Sequence, residues 1–333
     1  MPGASPYERD AKFEDSLRPG SFDEFIGQPK TVANLQVGIK AARKRKEALD
    51  HVLFSGLPGL GKTTLAKLIA FEMKGQLHTT MGPILKRPGD LVGTLTKLQE
   101  GDILFIDECH RMLADVEEFL YTAMEDFQIS INMETGMAGR TITLPLKRFT
   151  LVGATTREGL LSEPFRARFG ILEKLEWYPV ADLVKILHRS ARILQVEIDE
   201  ESAGLLAQRA RGTPRVANRY LRRVRDLAQV KSAKKITRPI ALEALAMLGV
   251  DEAGLEDMDR KILRALITNA GPVGIKTLAV AVGEEEGTIE EVYEPYLIQN
   301  NFLVRTSRGR RATEKAAQHL GTEPVRDQQQ RLF

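Results

Sequence analysis

The sequence predicts an α/β domain built on a parallel sheet, then an all-α unit, then a small helical unit closed by a β-hairpin. Three observations carry this. Short apolar runs alternate with longer helical stretches over residues 1–180, only helical patterns fill 181–254, and a new pattern over 255–333 ends in an arginine-rich turn. The runs His51–Phe54, Ile103–Ile106 and Thr150–Gly153 are almost continuously apolar, as strands covered on both faces of a parallel sheet are. Thr63–Met73 and Val116–Asp126 lie between them and read as helices, the order of a layered α/β domain. In the last unit Met258, Ile262, Leu263, Leu266 and Ile267 share one helical face. Helices over about 273–281 and 288–299 follow, and a strand pair around Ser307–Arg310 completes a winged helix.

Composition narrows the class. At 333 residues the chain holds two or three domains and buries a core without metals or disulfides. Forty-eight Lys+Arg against 45 Asp+Glu, a net +3, excludes a general polycation, and 43% hydrophobic with 28% charged residues is globular rather than disordered. The single cysteine, Cys109, makes no internal disulfide, which points to a reducing compartment. No signal peptide or membrane-spanning run is visible, so a cytoplasmic protein is expected. Charge is unevenly placed. Residues 181–250 carry 14 basic and 7 acidic side chains, and 302–315 carries five basic residues against Glu314 alone.

The strongest signal is Gly56-Leu57-Pro58-Gly59-Leu60-Gly61-Lys62-Thr63, a complete G-x-x-x-x-G-K-T between a strand and a helix opening Thr63-Thr64-Leu65-Ala66. Gly59 and Gly61 let backbone N–H groups curl inward onto phosphate oxygens, and the helix N-terminus adds its dipole. Lys62 is placed to bridge the β- and γ-phosphates, and the Thr63 hydroxyl to ligate Mg²⁺. Asp107-Glu108 ends the next strand, 45 residues after Lys62, at the sheet edge where open α/β folds bind ligands. Asp107 is expected to hold Mg²⁺ or its water, and Glu108 to polarise the attacking water. Cys109 reads as core and His110 as a supporting or surface residue, with no chemistry assigned to either. A third strand ends in Gly153-Ala154-Thr155-Thr156-Arg157. Thr156 is preferred over Thr155 as the hydroxyl that reaches the γ-phosphate or the water. Two arginines, Arg166 and Arg168, stand between aromatics, and either could neutralise γ-phosphate charge in trans. Gly212-Thr213-Pro214-Arg215 either brings a lid arginine onto the nucleotide or merely starts a helix.

Together these residues resemble the AAA+ ATPases, with Gly56–Thr63 as Walker A, Asp107-Glu108 as Walker B, Thr156 as sensor 1, Arg168 as finger and Arg215 as sensor 2. Leu17-Arg18-Pro19, Phe25-Ile26-Gly27-Gln28 and Arg305-Thr306-Ser307-Arg308-Gly309-Arg310-Arg311-Ala312-Thr313 bring the resemblance to the RuvB family of Holliday junction branch-migration motors, over about residues 7–320. The resemblance implies an AAA+ P-loop domain (1–180), a helical lid (181–254) and a winged-helix DNA-binding head (255–333). It also implies that Leu17, Arg18, Ile26 and Tyr178 surround the adenine, with Thr64 among the nucleotide-binding residues. Glu125-Asp126-Phe127 would approach ATP held by a neighbouring subunit, and Arg168, rather than Arg166, would act across that interface. The active unit would then be a ring, expected to be hexameric. It would hydrolyse ATP with Mg²⁺, move Holliday-junction duplex, and work with RuvA and the RuvC resolvase.

The wing agrees with this. Arg305, Arg308, Arg310 and Arg311 lie within seven residues around a glycine turn, a shape suited to phosphates. The preceding helix reads as capped by Thr288 and Glu291, and its Glu290, Glu291 and Glu294 would repel a DNA backbone. Binding is therefore expected through the wing and without regard to sequence. Seven arginines over 209–225 read either as a solvated or subunit-facing helix surface or as a further DNA contact, and the sequence does not choose between them. Residues 129–146 read as a hairpin whose Met133, Met137 and Ile142 make a sticky tip or pack into the core; by the resemblance it docks RuvA. The competing functions are an AAA+ loader and a nucleotide-gated DNA-binding switch. Glu108 and Arg168 favour turnover over a switch.

Overall fold

The computed structural model describes residues 13–133, 140–269 and 271–322, without the side chains of 132, 133 and 140. Two compact units divide between Tyr178 and Pro179.

In the first unit the chain forms β1 (Val52–Ser55), β2 (Leu77–Met81), β3 (Ile103–Asp107), the hairpin β4 (Gln128–Met133) and β5 (Arg140–Pro145), then β6 (Thr150–Thr155) and β7 (Ile171–Lys174). Five of these make one parallel sheet in the order β2-β3-β6-β1-β7. Every residue of β1 and β6 is buried, as is β3 up to Asp107, which is why their sequences lack alternation. The edge strands β2 and β7 mix polar with apolar residues and so lack the continuous apolar signal that marks the three inner strands in the sequence. Helices Lys62–Met73 and Ala114–Asp126 occupy the two expected helical stretches.

His51, one residue before β1, ties the base of this unit together. Its Nδ1 accepts from the Leu151 N–H at 2.8 Å, and its Nε2 lies 3.2 Å from the Met124 carbonyl. Burial holds the imidazole below its ordinary pKa, so it stays neutral and keeps both bonds. The hairpin pairs Ile131 with Ile142. Ile129 is buried in the core and Leu144 packs against it, whereas Ile142 is exposed. The base of the hairpin is therefore core and Ile142 is its exposed apolar residue among those described; Met137 and the side chain of Met133 lie outside the described residues.

The second unit opens with helices Val180–Ile193, Glu200–Arg209, Pro214–Val230 and Arg238–Met247. It is not helical throughout as expected. Glu197–Ile198 (β8) pairs in parallel with Lys235–Ile236 (β9), a contact two residues long that is too short to leave a period in the sequence. The winged helix follows with Asp257–Ile267, Ile275–Val282, and a third helix that starts at Glu286–Thr288, passes a π-turn at Ile289–Tyr293 and ends as Glu294–Gln299, and a short helix Glu314–His319 comes after the wing. Thr288 sits inside that helix rather than capping it: the chain is already helical from Glu286, so the expected capping box does not form. The wing strands are β10 (Leu303–Thr306) and β11 (Gly309–Ala312), and Val273 exchanges two backbone bonds of 2.8 Å with Arg310 along the outer edge. Gly309 lies at φ +140° with the Val273 carbonyl 2.4 Å from where a Cβ would stand, so the wing closes only with glycine there.

Within the 209–225 run, Arg211 is buried on Asp259 and half-exposed Arg219 pairs with Glu256, both in the winged helix of the same chain, while Arg223 and Arg225 face Asp226. Asp259 is fully buried, so Arg211→Met by itself strands a charge in the interior. It is expected to cost about 3–5 kcal/mol, read as a fall in the urea midpoint at unchanged slope.

Candidate functional site

The loop after β1 leaves the C-terminal edge of the sheet and enters the helix Lys62–Met73 through Gly61, its N-cap at φ +106°. Gly56 and Gly59 are also at positive φ. A Cβ on Gly56 would stand 2.8 Å from the Leu175 carbonyl, so the loop cannot carry a side chain at that point. Lys62 Nζ donates to the carbonyls of Gly56 at 2.6 Å and Leu57 at 3.0 Å, which holds the ammonium over the loop.

Asp107 ends β3 in the same edge, and its Oδ1 accepts from the N–H of Glu108 at 3.0 Å. Glu108 adopts the left-handed backbone conformation, φ 49°, with its carbonyl 2.3 Å from the place a Cβ on Gly82 would take. That strained, closely backed residue aims a carboxylate at the end of β6. There Thr156 donates to Glu108 Oε2 at 3.3 Å. The neighbouring hydroxyl, Thr155, is fully buried and faces His110 Nδ1 at 2.9 Å while accepting from the Arg157 N–H. Of the two threonines, Thr156 is the one that faces the carboxylate. The sequence assigns His110 no chemistry, yet its ring also stands 3.4 Å from Glu108 Oε2. The only signal for it is its position two residues after Glu108, in the turn Cys109–Arg111. Cys109 is core, and burial pushes its thiol up, far from a reactive thiolate.

The residues expected around the adenine gather on this same side. Tyr178 is buried and donates to the Leu60 carbonyl at 3.1 Å. Its ring would sit 2.4 Å from a Cβ on Gly27, and the Phe25 ring 3.4 Å from one on Gly61. Arg18 reaches Thr64 at 3.5 Å and pairs with Asp15 at 3.1 Å, beside buried Leu17. Ile26, between Phe25 and Gly27, is half-buried. These glycine clefts and the Lys62, Thr63 and Asp107 donors fit a nucleoside triphosphate with Mg²⁺, a cation that takes few protein carboxylates and completes its shell with phosphate oxygens and water.

Arg168 belongs to the opposite edge. With Asp50, His51, Phe127 and Phe149 it lines a cavity of about 580 Å³ at the ends where β1 and β6 begin. Its guanidinium bonds to the Tyr121 hydroxyl, lies 4.2 Å over the Tyr121 ring, and pairs with Glu125 at 2.8 Å. Phe127 packs edge-on against Phe149 at 5.9 Å, and Asp126 is exposed beside it. So Arg168, Glu125, Asp126 and Phe127 form one face, separated from the chain's own P-loop by the length of β1, about 13 Å at ~3.3 Å per residue. Arg215 is the second residue of the helix Pro214–Val230 in the other unit, after the Thr213 N-cap.

In the wing, Arg305 and Arg310 both clamp Glu294, with Nε distances of 2.7 and 2.6 Å, and both meet Glu290. The Glu294 side chain is 1% exposed. Burial opposes the charge on Arg310, but Glu294 and Glu290 outweigh it and raise its pKa. The expected repulsion of DNA by Glu290 and Glu294 is thus cancelled inside the chain, because the two arginines neutralise both carboxylates. Arg308 and Arg311 are exposed. Each wing arginine that meets a phosphate should contribute ~0.9 to the slope of log affinity against log salt. Arg308→Ala is expected to flatten that slope and weaken binding equally on unrelated duplexes; a loss confined to one sequence contradicts phosphate-only contact.

Family models described as the Holliday junction DNA helicase RuvB P-loop domain, the RuvB AAA lid domain and the RuvB C-terminal winged helix domain match residues 17–175, 178–251 and 252–321. The Holliday junction branch migration complex subunit RuvB of Prosthecochloris aestuarii is 54% identical over 319 residues, 95% of this chain and 93% of that protein. That of Myxococcus xanthus is 53% identical over 326 residues, 97% of this chain and 95% of the relative. The solved Thermotoga maritima RuvB Holliday junction branch migration motor superposes with a TM-score of 0.85 at 48% identity, covering 92% of this chain and 99% of that one.

Proposed function

The chain belongs to the RuvB family of Holliday junction helicases, and from that premise we propose that it is an ATP-driven motor of branch migration acting as a ring, hexameric, on junction duplex. The observation that carries the ring is the placement of Arg168 and Glu125 on the sheet edge opposite their own P-loop. A guanidinium so placed serves a nucleotide bound by another copy.

At each shared site the loop N–H groups and Lys62 hold the β- and γ-phosphates, and Arg18, Leu17, Ile26 and Tyr178 enclose the base. Thr63 and Asp107 would hold Mg²⁺, which when bound neutralises charge developing on the phosphate oxygens. Glu108 orients and polarises the water, held in line by the Thr156 hydroxyl and by His110. Arg168 of the next copy, flanked by Glu125, Asp126 and Phe127, meets the γ-phosphate, and Arg215 senses it from the lid. The wing, through Arg305, Arg308 and Arg310, grips duplex backbone without reading bases. The exposed part of the hairpin 129–146 docks RuvA, and RuvC joins the resolving complex. With one buried cysteine and no described helix long or apolar enough to cross a membrane, a cytoplasmic site of action completes the proposal.

ATPase and strand exchange on a four-way junction, compared with linear duplex and with or without RuvA, test this. Junction-dependent exchange that needs ATP supports the motor; ATP-dependent assembly without exchange supports the switch instead.

A further inference from the structure

The segment joining the lid to the winged helix is pinned from both sides. Arg211, just before the turn that carries Arg215, donates through Nε to the Gly254 carbonyl at 2.9 Å and through both terminal nitrogens to Asp259. It also stacks 5.0 Å from the Tyr296 ring centre, and Tyr296 donates to the Ala253 carbonyl at 2.7 Å. Gly254 comes so near the lid that a Cβ would lie 2.9 Å from the Arg209 carbonyl. From the other side Arg260 donates to the carbonyls of Gly249 and Leu255, and His319 meets Asp251 at 2.9 Å. Glu256 takes both Arg219 and Tyr220 of the long lid helix. A connection held by this many side-chain bonds, those of Arg211 buried, has no free hinge. Tyr296 is two residues beyond Glu294, the carboxylate that holds Arg305 and Arg310.

We propose that Arg211 is the joint that makes the lid and the winged-helix head one rigid lever, so that a nucleotide-dependent movement felt at Arg215 arrives undiminished at the wing. This rests on the motor reading above for what the lever does, but not for its rigidity. Burial opposes the Arg211 charge and the Asp259 and Glu256 carboxylates outweigh it, which keeps the guanidinium charged and its bonds made. Asp259 also accepts from the Glu256 N–H at 2.7 Å, so a neutral amide there keeps the helix cap while removing the ion pair.

Two measurements on the full-length protein test it. Val230 and Val280 are 83% and 85% exposed, one in the lid and one in the head, and the native Cys109 is fully buried. Val230→Cys with Val280→Cys therefore accepts a pair of spin labels at those two positions. The label distance is expected to be the same with ADP and with a non-hydrolysable ATP analogue. A shift between the two nucleotides overturns the proposal, whatever any variant does. In the Arg211→Met/Asp259→Asn background the distance distribution is expected to broaden. Strand exchange should fall about tenfold, inside the usual range of coupling between sites, with duplex binding and DNA-free ATPase retained. A variant that keeps both the narrow distribution and full exchange overturns the assignment to Arg211. If instead the parent shows a fixed distance but no strand exchange on junctions, the motor reading fails and the rigid joint stands.

Discussion

Arg168→Ala is expected to lower ATP turnover by about 10³–10⁵-fold, the range for a guanidinium that neutralises γ-phosphate charge from outside the P-loop. It should leave nucleotide affinity nearly unchanged. The two effects separate because Arg168 touches Tyr121 and Glu125, at the end of the sheet away from Gly56–Thr63. Steady-state ATPase alongside a nucleotide-binding titration checks both. A comparable loss of ATP affinity would mean that the residue acts within its own chain.

Glu108→Gln is expected to reduce turnover by about 10²–10⁴-fold, the usual contribution of a positioned base, with ATP binding and oligomer assembly intact. The amide has nearly the shape of the acid and still accepts from Thr156, so the left-handed turn backed by Gly82 is undisturbed. What it loses is the negative charge that polarises water. Single-turnover hydrolysis separates this from a binding defect, and hydrolysis at the parental rate would remove Glu108 from the mechanism.

Much of this was legible before the fold. The three buried strands announce themselves because burial on both faces leaves no polar positions, and the P-loop because few sequences let a backbone curl that tightly. Asp107, Glu108 and Thr156 follow from where strands end. What stayed hidden is set by contacts distant in sequence. The edge strands β2 and β7 look like loops because one side of each meets water. His110 is indistinct until β6 brings Thr155 beside it. Glu290 and Glu294 count as repulsive charges when only the helix is read; the wing folding back 11 to 20 residues later turns them into partners of Arg305 and Arg310. Arg211 resembles its six neighbouring arginines in the 209–225 run, and only the buried Asp259, 48 residues on, distinguishes it. The proposed trans face is similar: the family resemblance grouped Glu125, Asp126, Phe127 and Arg168, and the fold places them together at the edge opposite their own P-loop.

The most direct measurement is ATPase in mixtures of Lys62→Ala and Arg168→Ala subunits, each inactive alone. Lys62→Ala copies cannot hold the phosphates but still present Arg168, and Arg168→Ala copies hold ATP but present no finger. Mixed rings are expected to regain a fraction of parental turnover that peaks near equal proportions, because only junctions of the right order contain both residues. Activity that stays at the sum of the two separate variants at every ratio would contradict a site completed by two copies of this chain.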